Sequence, residues 1–560
     1  MTQQITLDTC AQEPIHIPGA IQPHGVLLLC EESSLTLKAV SASIGEHLHI
    51  EPQRALGADV RALFDESSVA CLVGALVETT LRTVNPLYLV AGNGRQFEAV
   101  LHRPSSHPGH VVIELEPARQ AAAAERRTFD PGLRSAIVRL QTATDLASLS
   151  NIAADEIRKI TGYDRVMVYR FDADWNGEVI AEARNESVEP FLGQRYPASD
   201  IPAQARRLYE LNWLRIISDV AYVPSPMVGI DATSAPLDMS HAVLRSVSPI
   251  HIEYLHNMGV TASMSFSLVT DGKLRGLIAC HHYAGVHYLP FAVRETAEYL
   301  AQALSWHSAA FERAFVNESI ARVQEQEAEI VRLLATSDEL MTGLATPALQ
   351  KLVAASAAAV VLAEGFRCVG DCPPHEAFEK IVAFLKTQKE DIFFCDKLSD
   401  YLPEASAWEQ TCAGVLAVTI SRELGEYLLW FRPPTERVIN WAGNPYLKKI
   451  MTEGTDGAHR LSPRGSFALW REVVSGKVTA LATLGGSRCV ELAPHALGRR
   501  TPTCDGAPRK ERTASRGRSR QRQLYCHGEP RASHTAQLHR WLGATASRRH
   551  IIRSAENTCA

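Results

Sequence analysis

A lone thiol, an aspartate pinned between prolines and a group of arginines, histidines and serines are the residues of this chain best equipped for chemistry. Cys10 precedes EPIHIPGAIQPHG in an extended N-terminal arm. Such a cysteine is either a surface bystander or a covalent attachment point. In YPASDIP, Tyr196 to Pro202, the prolines hold the chain extended on either side of Asp200, which suits a turn or helix cap as well as a binding role. Arg215, Arg245, His251 and His281 fall in one stretch with Ser263 and Ser265, whose alternation in ASMSFSL puts both hydroxyls on one strand face. Arginines and serines converging on a pocket suit ligand carboxylates, and scattered surface arginines are the competing reading. Cys368, Cys372 and His375 in CVGDCPPH lack a second ligand pair at zinc spacing, so no metal site is expected.

The elements that must position these residues span several domains. A chain of 560 residues is too long for a single core and should hold three or four units of about 100–200 residues. With 46% apolar and 21% charged residues it has a globular composition, and a net charge of −5 argues against a dominant nucleic-acid footprint. The longest apolar-leaning run, Leu352 to Ala363, is shorter than the ~18 residues of a membrane span, and the start lacks a signal-peptide pattern. A cytoplasmic location with reduced thiols is expected, since twelve irregularly spaced cysteines make no disulfide framework.

Residues 1–118 alternate strand-like runs with turn signals, as expected for a small antiparallel sheet with short helices. After the Ala-rich linker ARQAAAAERR, an α+β unit over 132–310 opens with a helical pattern and continues into YDRVMVYRFD. No Pro or Gly follows Pro290 until past Leu334, and Val293, Ala297, Leu300, Leu304, Phe311, Phe315, Ile320, Val323, Ile330 and Leu334 recur at helical spacing. One long helix is favoured over two meeting near Asn317, with an apolar stripe able to pair two copies into a homodimer. A third α+β unit covers 322–478, with an irregular Pro-, Gly- and Arg-rich segment between Trp430 and Trp470. From Arg488 the composition breaks: fourteen Arg and one Lys against four Glu and one Asp give the tail +10, leaving −15 on residues 1–487. Residues 479–560 are expected to be disordered, as a solvated or nucleic-acid-binding arm or an out-of-frame segment.

Taken together, Cys10 with EPIHIPGAIQPHG, then YPASDIP, LRSVSPIHIEYLHNMGV, LIACHHY, WFRPP, WAGNP and SPRGSFALW resemble the bacterial phytochromes over about residues 5–478. The resemblance implies tandem PAS, GAF and PHY domains, all α+β, with a linear tetrapyrrole in the GAF pocket and an N-terminal arm threaded through a GAF loop. It assigns Arg215 and Arg245 to the propionates with Ser263 and Ser265, and the Asp200 carbonyl and His251 to the pyrrole nitrogens. Tyr169, Tyr196 and Tyr254 surround ring D, His281 bonds to it, and Ile201, Pro202 and Tyr209 complete the lining. Where plant and cyanobacterial relatives carry a cysteine before the histidine of SPIHIEY, this chain has Ile250. That implies attachment at Cys10 and biliverdin IXα as the pigment. Arg464 would bond Asp200, with Ser466 close by, in a contact that couples the pocket to the tongue of PHY. The family's kinase motifs are not found, and no family string continues beyond Lys477. The expected role is thus a red/far-red photoreceptor without enzymatic output, acting through its bilin and a dimer, with no membrane or nucleic-acid partner. A GAF-type cyclic-nucleotide-binding regulator is the alternative.

Overall fold

The computed structural model describes residues 13–118, 131–229, 235–446, 450–453 and 459–477. They form two compact units. One runs to Arg313 and includes Ile439–Glu472; the other comprises Ala314–Val438 and the residues from Val473.

The first unit contains two sheets. Strands β1 (Ala20–Ile21), β2 (Val26–Glu31), β3 (Leu37–Ser41), β4 (Leu87–Val90), β5 (Gln96–His102) and β6 (His110–Pro117) form the expected N-terminal sheet. A seventh strand, β11 (Ser225–Val228), comes from far along the chain and lies between β1 and β3 in the order β1-β11-β3-β2-β6-β5-β4. Ile21 pairs with Ser225, Gln22 N donates to Leu244 O at 2.8 Å, and Ser246 N donates to Ala20 O at 3.0 Å. The arm therefore passes between residues 225–226 on one side and 244–246 on the other.

The second sheet is built from β7 (Arg165–Phe171), β8 (Gly177–Arg184), β9 (Arg195–Tyr196), β10 (Leu214–Ile217), β12 (Ala262–Thr270) and β13 (Lys273–His282) in the order β10-β12-β13-β7-β8-β9. The helix Leu146–Thr161 covers one face. Asp145 caps its start by accepting from Ser148 N at 2.7 Å, and Gly162, at φ +70°, ends it. That helix buries Leu149, Ala153 and Ile157 against Val166, Val168, Met264, Phe266 and Ile278, each full burial of a large apolar side chain contributing about 1.5–3 kcal/mol. Strict alternation along β7, β12 and β13 gives the opposite face to the site. The sheet continues through β19 (Thr435–Ala442) and β22 (Leu469–Lys477), with Trp441 in a parallel bridge to Arg195.

The second unit holds a five-stranded antiparallel sheet of β14 (Ala357–Leu362), β15 (Gly365–Gly370), β16 (Ile392–Cys395), β17 (Gly414–Ser421) and β18 (Glu426–Arg432), ordered β15-β14-β18-β17-β16. A short hairpin that belongs to the first unit, β20 (Ile450–Glu453) with β21 (His459–Ser462), completes the described strands.

The connector is a single helix, Phe291–Thr336, as the unbroken pattern predicts. Its stripe differs from expectation. Ala297, Leu300 and Leu304 are buried in the core under the second sheet, and Val323, Ile330 and Leu334 in the core of the other unit. The positions expected to pair two copies are thus largely used within the chain. What remains exposed is Tyr299 and Trp306, seven residues apart on one face, together with Phe315 and Val316. Among the described residues no helix is long and apolar enough to cross a membrane.

Candidate functional site

The free face of the second sheet floors a cavity of about 100 Å³, and a larger one of about 510 Å³ adjoins it. Asp200, Ile201, Tyr209, Arg215, His251 and Tyr254 line both. Pro202, Arg245 and Arg464 line the larger one; Tyr169, Tyr196, Ser263, Ser265 and His281 line the smaller. The pleat explains this sorting. In β13, His281 faces the cavity while Cys280 is buried in the opposite core, and His282 meets Asp164 with Nδ1 to Oδ2 at 2.9 Å. Gly177 on β8 makes room for Tyr169, because a Cβ there would fall 1.6 Å from its ring. Cys10 lies outside the described residues. Close to it in sequence, Glu13 and Ile15 line the larger cavity, and Ser248 Oγ donates to Glu13 Oε2 at 2.8 Å.

One end of the site is cationic and incompletely paired. Arg215 donates through Nη2 to Arg245 O at 2.6 Å, so one arginine orients the backbone of the other. Arg245 Nε and Nη1 are buried with no hydrogen-bond partner among the described residues. Burial, then the charge of Arg215, pulls the Arg245 guanidinium down to about 9. Leaving such a group unpaired is costly, so the geometry demands an anion. The segment carrying Arg245 is held from behind: the buried Glu114 carboxylate accepts from Val243 N at 3.1 Å and Leu244 N at 2.7 Å. At the other end the Tyr196 hydroxyl and His281 Nδ1 are likewise buried without partners. Two arginines, two serine hydroxyls and a ring-lined apolar body fit an elongated dicarboxylate with polar groups at its far end.

Asp200 closes the roof. Its Oδ2 accepts from Arg464 Nη2 and, at 3.0 Å, from the Tyr254 hydroxyl. Both members of the ion pair are 10% exposed. Arg464 also donates to Ala442 O and lies over the Tyr196 and Phe467 rings, while Asn257 Nδ2 donates to Arg464 O at 3.4 Å. Gly443, at φ +86°, is required in WAGNP, since a Cβ would meet Ser466 O at 2.3 Å. Glu472 joins the two limbs of this segment, accepting from Trp441 Nε1 at 2.7 Å and the Tyr446 hydroxyl at 2.5 Å. Ser466 is exposed, its hydroxyl accepts from Ala468 N at 3.4 Å, and its backbone carbonyl makes the close approach to Gly443.

Sequence reasoning missed Met167, Gly177, Asn257 and Glu472. Met167 stands two residues before Tyr169 in an alternating strand, so the same period of two reaches it. Glu472 carries no local signal, because its role depends on which strand it faces.

Burial holds three histidines neutral. His102 is pushed down to about 3 by burial and His241, His251 to about 4 by burial and Arg215, and His281 to about 3 by burial and Arg165. Below about 6.5 the unfolded chain protonates these rings and the folded chain does not, so stability falls as pH drops from 6.5 toward 4. Glu114, raised by burial to about 7, works in the opposite sense above its unfolded value. Burial also lowers His47 and His107 and raises Glu295 and Glu298, so with five rings against three carboxyls the ligand-free protein is expected to lose about 2–3 kcal/mol per pH unit at the steepest point. A urea midpoint equal at pH 7 and pH 5 would contradict this.

Comparison with known proteins follows the same division. The chain matches the PAS fold over residues 10–118, the GAF domain over 145–307 and the phytochrome region over 323–481. Fold and pocket together define a PAS-GAF-PHY protein. Cyanobacterial phytochrome B of Nostoc sp. is 40% identical over 479 residues, covering 84% of this chain and 63% of the relative. A bacteriophytochrome of Xanthomonas campestris is 34% identical, covering 85% of this chain and 76% of the relative. Two solved structures each superpose with a TM-score of 0.76 over their whole length. The bacteriophytochrome RpBphP3 from R. palustris is 36% identical and covers 88% of this chain; the phytochrome photosensory core module of Stigmatella aurantiaca is 40% identical and covers 89%. The chain belongs to the phytochromes. It spans under two thirds of the length of the Nostoc relative.

Proposed function

We propose that this chain is a red/far-red light sensor that holds biliverdin IXα, joined through Cys10. The observation that carries the reading is the buried, unpaired Arg245 guanidinium facing the larger cavity beside Arg215, which with His251 also lines the adjoining cavity of Ser263, Ser265 and His281. When bound, biliverdin supplies the visible absorption and a double bond that isomerises. The protein's own residues do the rest. Arg215 and Arg245 bind the two propionates as charge-assisted partners. His251, neutral in the ligand-free site, offers a ring nitrogen and the Asp200 carbonyl an acceptor to the pyrrole N–H groups, which favours keeping their proton. Tyr169, Tyr196 and Tyr254 bound the smaller cavity, where the Tyr196 hydroxyl and His281 Nδ1 stand ready for a polar group that turns past them. The Arg464–Asp200 pair then reports on the pocket, because the aspartate belongs to the cavity wall and the arginine to the segment between Trp441 and Glu472. A charge-assisted pair shielded from water is worth about 1–3 kcal/mol, enough to bias a two-state element. Exposed Tyr299 and Trp306 on the connector helix support a homodimer.

The test is an absorption spectrum of the chain purified from cells that make biliverdin, taken before and after red light, with light scattering on the same sample. A red band that gives way to a far-red band, on a dimer, is the expected result. A colourless protein would overturn the reading and favour the cyclic-nucleotide alternative.

A further inference from the structure

Four of the seven described free cysteines, Cys368, Cys372, Cys395 and Cys412, meet in one apolar cluster of the second unit, far in sequence from the ligand cavity. Their surroundings differ. Cys395 and Cys412 are buried; Cys368 and Cys372 sit at the margin of the cluster, partly open to solvent. Cys368 is on β15 opposite Ala359, on the strand face that also turns Phe366 into the cluster. Gly370, at φ +84°, then reverses the chain so sharply that a Cβ would fall 2.4 Å from Ser356 O. Cys372 N closes the turn on Gly370 O at 3.1 Å. The reversal folds the second thiol back toward the first: Cys372 Sγ lies 3.5 Å from Ala358 O and 3.9 Å from Val369 O, over the strand pair next to the one that Cys368 makes with Ala359. Pro373 and Pro374 follow, so the turn leads directly into the helix His375–Thr387 and has little freedom to open.

We propose that Cys368 and Cys372 are a peroxide-sensitive dithiol that closes into a reversible intramolecular disulfide. The neighbouring Cys372 thiol favours the thiolate of Cys368, whereas burial pushes the thiols of Cys30, Cys280, Cys395 and Cys412 up and keeps them protonated. The Cys368 thiolate attacks the O–O bond of hydrogen peroxide, taking one oxygen to become a sulfenic acid while the other leaves as hydroxide. The Cys372 thiol then attacks that sulfur; an S–S bond forms, the S–O bond breaks, and the oxygen departs as water. Two thiols lose two electrons and two protons, and one peroxide becomes two waters. A dithiol reductant reverses the change by thiol–disulfide exchange.

The experiment uses the full chain, reduced, then treated with hydrogen peroxide, alkylated with iodoacetamide and digested with trypsin. The peptide Cys368–Lys380 should be recovered unalkylated and lighter by two hydrogens, and should return to the doubly alkylated form after dithiothreitol. Phenylarsine oxide should protect both thiols of the reduced chain, since it needs two sulfurs side by side. In Cys368→Ser the closed peptide should be absent and Cys372 alkylated. The proposal is overturned if both cysteines of the native chain stay alkylable after peroxide. It is equally overturned if Cys71, Cys395 or Cys412 oxidises while the pair stays reduced, or if Cys368 goes to the sulfinic acid with Cys372 still a thiol.

Discussion

Cys10→Ala is expected to retain coloured pigment in the folded protein and to lose all of it on denaturation. The reasoning is one of available thiols. Ile250 lines the larger cavity at the place where some relatives carry the attaching cysteine, and Cys280, though adjacent to His281, is buried on the far side of its strand with its thiol pushed up by burial. Glu13, three residues along the sequence from Cys10, lines the same cavity, and three residues of chain span at most about 10 Å. The non-covalent sites, above all Arg215 and Arg245, are untouched by the substitution and should keep the pigment bound at neutral pH. Zinc-induced fluorescence on a denaturing gel is the measurement: a band of native intensity in the variant would refute attachment at Cys10.

The second large effect is expected from Arg464→Ala. It removes the guanidinium partner of a carboxylate that is 10% exposed, which the neutral Tyr254 hydroxyl cannot replace. Breaking a buried pair by deleting one member costs about 3–5 kcal/mol, far more than a surface ion pair. The same guanidinium holds Ala442 O and packs on Phe467, so the segment Trp441–Tyr446 should lose its attachment as a unit. Hydrogen exchange at Gly443 N, which bonds Ala468 O, should then speed up by two or more orders of magnitude, and the red-to-far-red difference signal should fall. Arg464→Lys should rescue little, because an ammonium lacks the planar fork that serves Asp200 and Ala442 together. Unchanged exchange at Gly443 in the alanine variant would show that the pair does not hold the segment.

Much of the site could be read before any coordinates because its residues lie on strands, where period-two alternation sorts cavity from core without knowledge of the partner strands. Ser263 and Ser265 on β12, and the contrast of His281 with Cys280 and His282 on β13, follow from that rule alone. The connector helix was equally plain, since forty-six residues without Pro or Gly leave few other options. Its stripe was misleading, because helical periodicity reports that a face is covered and not what covers it; two successive intramolecular cores supplied the cover. At Ser466 the packing against Gly443 uses the backbone carbonyl, which the residue type does not encode. Glu114 and Glu472 escaped because each works through partners on the order of 30 to 130 positions away, a separation no local pattern encodes.

The late strand in the first sheet has a consequence for the chain as it is synthesised. β3 ends at Ser41, yet the strand that pairs with it, β11, begins at Ser225, and the arm strand β1 pairs with nothing else in that sheet. At a ribosome's pace of about 5–20 residues per second, the edge of β3 emerges on the order of 10–40 s before its neighbour exists. For that interval the nascent domain carries an open, pairing-competent edge. The arm also cannot take its final path until residues 244–246 arrive to flank it. The threading of the arm is thereby deferred until the second domain has been made, so translation order itself sets the sequence of assembly.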